Sequence, residues 1–393
     1  MSTDDDIRLC FVTTTRADWG LLEPLARQMR LAPGVHVQVV AANMHLMEAY
    51  GMTVNEIEDA GFTVDARVHM DVEGDDEASR ARAMALCTAG MAEAFDRLRP
   101  DAAVLLGDRY EMLAVASTAA VMHIPIIHIA GGEISEGAID DSFRHAITKL
   151  ASLHLTATEP YRQRVIQMGE QPDTVVNTGA IGVWNALNIT PVPQAELEAY
   201  LDFDLSKPFA MVTYHPATND SAESPASRVR QMLDALDDFP DLNLIITYPN
   251  NDAHGAEIVD VLKTYAAANP ARVRLVQSLG MRRYQSLLRL AKVVIGNSSS
   301  GIVEAPSAGV PTVDIGMRQR GRIAADSVIH CDEGRRAIAQ AVAKALTPQV
   351  QALAARKDNP YGNDDTLGKM CSAVLDFLHS LPCKPKKFYD LPR

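Results

Sequence analysis

The sequence predicts an α/β protein built from two Rossmann-like domains that face each other across a cleft. Strand-length runs of β-branched and apolar residues alternate with helix-length segments through residues 1–183, a pattern of parallel βαβ units. The alternation breaks over 184–208, where Pro191, Pro193 and Pro208 oppose regular structure and mark a linker, and a second series then runs over 209–371. At 393 residues the chain exceeds what one core usually serves, and its 47% hydrophobic content supplies two.

The first series reads IRLCFV at 7, VHVQVV at 35, AAVLLG at 102, IPIIHIA at 124, LHLTAT at 153 and TVVNTG at 174. The second reads FAMVTYH at 209, LNLIITYPN at 242, VRLVQS at 273, KVVIGN at 292, PTVDIG at 311 and SVIHC at 327. No period of solenoid type recurs. The tail 372–393 is expected to pack back on the first domain, and the acidic patch DVEGDDE at 71 to cap an exposed loop ahead of a helix near Ala78.

A formal charge of −13 argues against a sequence-independent hold on nucleic acid or on an anionic membrane. The N-terminal stretch has no basic segment before an apolar core, and no apolar run reaches bilayer length, so a soluble cytoplasmic protein without membrane partners is expected. Five scattered cysteines without a CxxC pair suggest neither a disulfide framework nor a structural zinc. With no DxD at a strand end, no HExxH and no Cys/His cluster, neither a metal site nor a cofactor is expected.

In open parallel sheets, ligands collect at the carboxyl ends of strands. The richest such end is GNSSSGIVEA, a buried strand running into a helix start. Free backbone amides there suit a phosphate, small residues let its oxygens approach, and the hydroxyls of Ser298, Ser299 and Ser300 add donors. Simple helix capping by the serines explains such a turn about as well. One turn further in, the Glu304 carboxylate suits the two hydroxyls of a ribose diol. The next strand is followed by MRQRGR, which places Arg318, Arg320 and Arg322 where a diphosphate pocket in so acidic a chain would need them.

The first domain offers Arg16 on its first strand-to-helix turn, where a surface arginine or a pairing with Asp18 is the bland alternative. Asp108 directly follows an apolar strand, and His128, Glu133, Glu136, Asp140, Asp141, Arg144 and His145 follow the next one within eighteen positions. His215 ends the first strand of the second domain. Taken singly, Asp108, Asp140 and Asp141 could cap helices and His128 could be a satisfied core histidine. Together, acids and a histidine at strand ends resemble an acid/base set for a sugar. Asp140 and Asp141 point about 100° apart on a helix start, so one of them is expected to cap.

TTRADWGLLEPL, GDRYEM, HIAGGEISEGAIDDSFRHAITKL, TYHP, GNSSSGIVEAPSAGVPTVDIG and RQRGR occur in one order over roughly the first 330 residues. This ordered set resembles the hydrolysing UDP-N-acetylglucosamine 2-epimerase family. The resemblance implies a GT-B fold, a UDP-sugar substrate and a homodimer or homotetramer. It also implies that Arg16, His215, Ser298, Ser299 and Ser300 contact the diphosphate, that Glu304 takes the ribose, and that Arg318, Gln319 or Arg322 closes over the nucleotide. Asp108, Glu133 and Asp140 would then share the proton chemistry, with His215 assisting the leaving group.

Non-hydrolysing relatives carry a shape like HVEAG where this chain reads HIAGGE, which shifts the carboxylate of Glu133 and points to the sugar-releasing branch. Within it, UDP-N-acetylglucosamine on a sialic acid route and UDP-N,N′-diacetylbacillosamine on a legionaminic acid route are both open. The same pocket would also serve a UDP-sugar glycosyltransferase, the reversible epimerase that keeps UDP attached, or a nucleotide-sugar sensor without turnover.

Overall fold

Each of the twelve apolar runs forms a strand, and all strands pair in parallel. The computed structural model describes residues 6–74, 76–216, 223–249, 255–362, 365–382 and 385–392. Asp75 of the acidic patch, Asn250 of the LNLIITYPN run, Cys383 and the chain's first five residues lie outside them. The chain divides into two compact units. One comprises 1–133, 140–184 and 361–393; the other comprises 134–139 and 185–360. Both are α/β domains with parallel sheets.

In the first unit the strands are β1 (Ile7–Thr13), β2 (Val35–Ala42), β3 (Ala66–Val68), β4 (Ala102–Leu106), β5 (Ile126–Ile129), β6 (Leu153–Thr156) and β7 (Val175–Asn177). They lie in the order β3-β2-β1-β4-β5-β6-β7, with Leu9 opposite Ala102 and Phe11 opposite Val104. The short β3 carries no periodic pattern in the sequence. Wholly buried apolar strands such as β4 are what a sheet covered on both faces requires. The helix Arg16–Leu31 starts with a capping box in which Thr15 accepts from Asp18 N–H and the Asp18 carboxylate accepts from Thr15 N–H. Asp76, from the acidic patch, caps the helix Glu77–Leu98.

The second unit contains β8 (Phe209–Thr213), β9 (Asn243–Thr247), β10 (Val273–Val276), β11 (Val293–Gly296), β12 (Thr312–Ile315) and β13 (Val328–Cys331). Their order is β10-β9-β8-β11-β12-β13. The proline-bearing stretch before it is not devoid of regular structure. Pro193 stands at the N-cap of the helix Gln194–Leu201, where a missing N–H costs nothing, and Leu197, Leu201 and Phe203 enter the core beside Phe209.

The chain then returns to the first unit. Leu367, Met370, Val374 and Leu378 of the helix Thr366–His379 share a core with Trp19, Leu22 and Leu25. Beyond it, Lys386 reaches the buried Glu170 at 2.6 Å, alongside Lys149 at 2.5 Å and His154 at 3.0 Å. Burial opposes the charge on Glu170, yet His154, Lys149 and Lys386 together hold its carboxyl at about 2. Among the described residues no helix is long and apolar enough to cross a membrane.

Candidate active site

Both sheets reverse direction of build between their two central strands, at β1/β4 and at β8/β11, and that switch point is where an open parallel sheet leaves a crevice for ligand. Arg16 and Asp108 follow β1 and β4, and His215 and the serine turn follow β8 and β11, while Glu133 and Asp140 come after β5 and Arg318, Gln319 and Arg322 after β12.

In the second unit, β8 runs out through Tyr214 into His215, and β11 runs out through Gly296 into Asn297. Gly296 adopts φ of +137° with its Cα beside the Thr213 carbonyl, with which any Cβ would collide. Asn297 then brackets the His215 backbone: its Oδ1 accepts from His215 N at 2.7 Å, and its Nδ2 donates to His215 O at 2.9 Å. From the loop after β12, Arg318 Nη1 and Gln319 Nε2 donate to the Asn297 carbonyl at 3.2 and 2.9 Å. Arg322 lies on the same loop, its N–H donating to Gln319 O at 3.2 Å. Arg320 points elsewhere. It is exposed and pairs loosely with Glu136 at 3.7 Å, and it does not share the Asn297 carbonyl that Arg318 reaches.

Ser298 occupies the N-cap of the helix Ser299–Val303 without a side-chain capping bond. The helix is only five residues long and ends at Glu304, so Glu304 stands at a helix end rather than inside a longer helix, and the local amides matter more than any macrodipole. Ser300 Oγ donates to Glu304 Oε2 at 2.9 Å, and Gln285 Nε2 does so at 2.7 Å. Tyr284 OH meets Ser300 Oγ at 2.6 Å. Burial pushes the Glu304 carboxyl up to about 7, although the bonds from Ser300 and Gln285 favour its charged form.

In the first unit one side chain organises the acids. Arg144, 1% exposed, donates from Nη1 to the Glu133 carbonyl at 2.9 Å and to Asp141 Oδ1 at 3.1 Å, while Nη2 pairs with Asp108. It thereby ties the ends of β4 and β5 to the helix Asp140–Leu150. Asp141 also faces His145 Nε2 at 3.4 Å. Asp140 is half-buried at the first position of that helix, and Glu133 is buried. His128 is a core histidine, bonded to Gly107 O at 2.8 Å and Thr148 Oγ1 at 3.2 Å, and burial lowers it to about 4.

Arg16 opens the helix after β1. Its neighbour Asp18 is buried and turned inward, accepting from Thr14 N, Thr14 Oγ1 and Thr15 N at 3.1, 2.8 and 3.0 Å. Desolvation raises the Asp18 carboxyl, and the charge of Arg109 offsets this only in part. No group of three His, Cys, Asp or Glu side chains suited to a metal occurs among the described residues.

Three residues carry this geometry without having been singled out, Asn297, Tyr284 and Gln285, and a fourth, Arg144, was named only as one of a run of candidates. Asn297 sits inside the GNSSSG turn and Arg144 inside the IDDSFRH run, but the partners that give them meaning lie 82 and 36 positions away. Tyr284 and Gln285 lie in a helix with no motif of its own.

A parallel α/β unit with polar side chains at the carboxyl ends of its switch-point strands, built twice in one chain, makes a protein of two α/β domains with parallel sheets, consistent with a Rossmann-like fold of GT-B type. The chain belongs to the UDP-N-acetylglucosamine 2-epimerase family, whose model matches residues 27–375, and is an enzyme of that UDP-sugar family. It is 37% identical over 322 residues to a Campylobacter jejuni protein named GDP/UDP-N,N′-diacetylbacillosamine 2-epimerase (hydrolyzing), covering 82% of this chain and 83% of that one. It is 31% identical over 340 residues to a Neisseria meningitidis UDP-N-acetylglucosamine 2-epimerase, covering 86% and 88%. Among solved structures, that of MnaA with UDP from S. aureus superposes with a TM-score of 0.79 at 15% identity, covering 97% of this chain and 100% of that one, a likeness of fold.

Proposed function

We propose that this protein is a hydrolysing 2-epimerase, which eliminates UDP from a UDP-2-acetamido sugar and adds water to release the free 2-epimer. In the first step the C2–H proton passes to a carboxylate, the C1–O bond breaks toward the β-phosphate, and C1 and C2 become a double bond. In the second, water supplies a hydroxyl to C1 and a proton to C2 on the same face. The C2 proton is barely acidic, so departure of UDP runs ahead and builds positive charge at C1 that nearby carboxylates stabilise.

On this reading Asp108, Glu133 and Asp140 share abstraction, charge stabilisation and delivery of the proton to and from water. His215 meets the departing phosphate oxygen. Ser298, Ser299 and Ser300 with Arg16, Arg318 and Arg322 neutralise the diphosphate, and Glu304 accepts the ribose hydroxyls. Gln319, whose Oε1 is buried without a partner among the described residues, offers the nucleotide an acceptor. The observation that carries the reading is the group of carboxylate-bearing segments held around one buried guanidinium at the ends of β4 and β5. That arrangement supports a reaction that moves protons at the sugar over binding alone or transfer to an acceptor.

UDP-N,N′-diacetylbacillosamine is the substrate favoured, because the Campylobacter relative at 37% identity is named for that sugar; the Neisseria relative supplies UDP-N-acetylglucosamine as the second candidate. Proton NMR in deuterated water with each UDP-sugar, and with the GDP form of the first, tests the proposal. A free manno-configured sugar deuterated at C2, appearing with UDP, is expected. A UDP-linked epimer as sole product would mark the reversible epimerase, UDP release only on adding an acceptor would mark a transferase, and no change in any sugar would end the proposal.

A further inference from the structure

The last paired position of β8 and β11 sets Thr213 opposite Gly296, and there the register of the two strands ends. There the side chain of Asn297 replaces the ladder. Its amide accepts from His215 N and donates to His215 O, at 2.7 and 2.9 Å, as a neighbouring strand would. The residue's own backbone is anchored as well, with N–H donating to Thr213 O at 3.2 Å and the carbonyl receiving Arg318 and Gln319. Asn297 is 1% exposed, so it has no surface to offer a ligand.

We infer that Asn297 is the positioning residue of the nucleotide site, holding His215, the serine turn and the Arg318–Gln319 loop in one arrangement through its two-point pairing with the His215 backbone. This rests on the nucleotide reading given above. The loops after β8, β11 and β12 all meet at Asn297, and each contributes residues that the reading places on the diphosphate. The chemistry selects asparagine. A donor and an acceptor must lie in one plane at one side-chain length. Aspartate offers two acceptors and sets a negative oxygen against the His215 carbonyl, glutamine is a methylene too long, and alanine leaves both His215 backbone groups without their partner.

The test is calorimetric titration of the full chain with UDP, comparing wild type, Asn297→Ala and Asn297→Asp at pH 8, 7 and 6, each affinity taken relative to wild type at the same pH. Asn297→Ala should lose about tenfold in affinity or more, with a deficit that does not change with pH. Asn297→Asp should lose more at pH 8 and recover part of it toward pH 6, because a protonated carboxyl again presents one donor and one acceptor. A residue that only stabilises the fold would lower the melting temperature while leaving the affinity of the folded variants unchanged.

Should Asn297→Ala not fold, the nearly isosteric Asn297→Asp and its pH profile decide alone. Folded variants that bind UDP within twofold of wild type at every pH would overturn the inference and leave the nucleotide reading intact. Wild-type protein that fails to bind UDP would overturn both.

Discussion

The two units share a strand order about their switch points, yet they wire the residues gathered there in opposite ways. In the second unit the connections centre on uncharged groups, the Asn297 amide and carbonyl and the hydroxyls of Ser300 and Tyr284, with the Arg318 guanidinium and the Glu304 carboxylate joined to them. In the first they run through a buried charge, Arg144, which meets Asp108, Asp141 and a carbonyl. The arrangement in the second unit fixes loops by backbone pairing, whereas that in the first holds two partly exposed carboxylates against one buried guanidinium. The fold supplies the position in each case and the side chains supply the chemistry.

The contrast can be broken most severely at Asp108. Asp108→Asn should lower turnover by about 10²–10⁴-fold while UDP affinity measured by calorimetry stays within a factor of about two, since proton transfer is lost and the nucleotide's partners are not. Loss of both together would mean that the two sets of residues do not divide the work.

Arg144→Met comes next. Removing one partner of a buried ion pair strands the other charges, so thermal or urea unfolding should show a loss of about 3–5 kcal/mol, and the folded remainder should still bind UDP. A change below about 1 kcal/mol would show that the guanidinium does not bind these segments together.

Glu304 gives a sharper, pH-dependent contrast. Its carboxyl is raised from the ordinary 4.5 to about 7, so its contribution to stability is full below pH 4.5 and is lost as pH rises through about 7. Nucleotide affinity should run the other way, because only the carboxylate accepts two ribose hydroxyls: UDP binding should strengthen as pH climbs through about 7. Glu304→Gln should remove both slopes, and persistence of either in urea titrations or calorimetry would assign it to another group.

The smallest effect belongs to Arg320. An exposed pair at 3.7 Å is worth well under about 1 kcal/mol, so Arg320→Ala should leave the melting temperature and UDP affinity nearly unchanged, while Arg318→Ala weakens UDP. Equal losses from the two would restore the three-arginine pocket.

Much of this was legible in the sequence because parallel strands buried on both faces are continuous apolar runs, as AAVLL and VVIG are. Ala66–Val68 escaped because three residues carry no period, and the helix Gln194–Leu201 because Pro193 was read as a breaker when it sits at a helix start. That the candidate residues stand at strand ends was readable from position alone. What holds them was not: Asn297 and Arg144 act on partners distant in the chain, and Ser300 shows no sign in its own turn that it binds Glu304 and Tyr284.

The return of residues 361–393 to the first unit bears on synthesis. A ribosome delivers all of residues 185–360 before Leu367, Met370 and Val374 can join Trp19 and Leu22, or Lys386 can reach Glu170. The first unit to be translated is therefore the last to be completed, and until then its unfinished core is surface that a chaperone, or another nascent chain, can find.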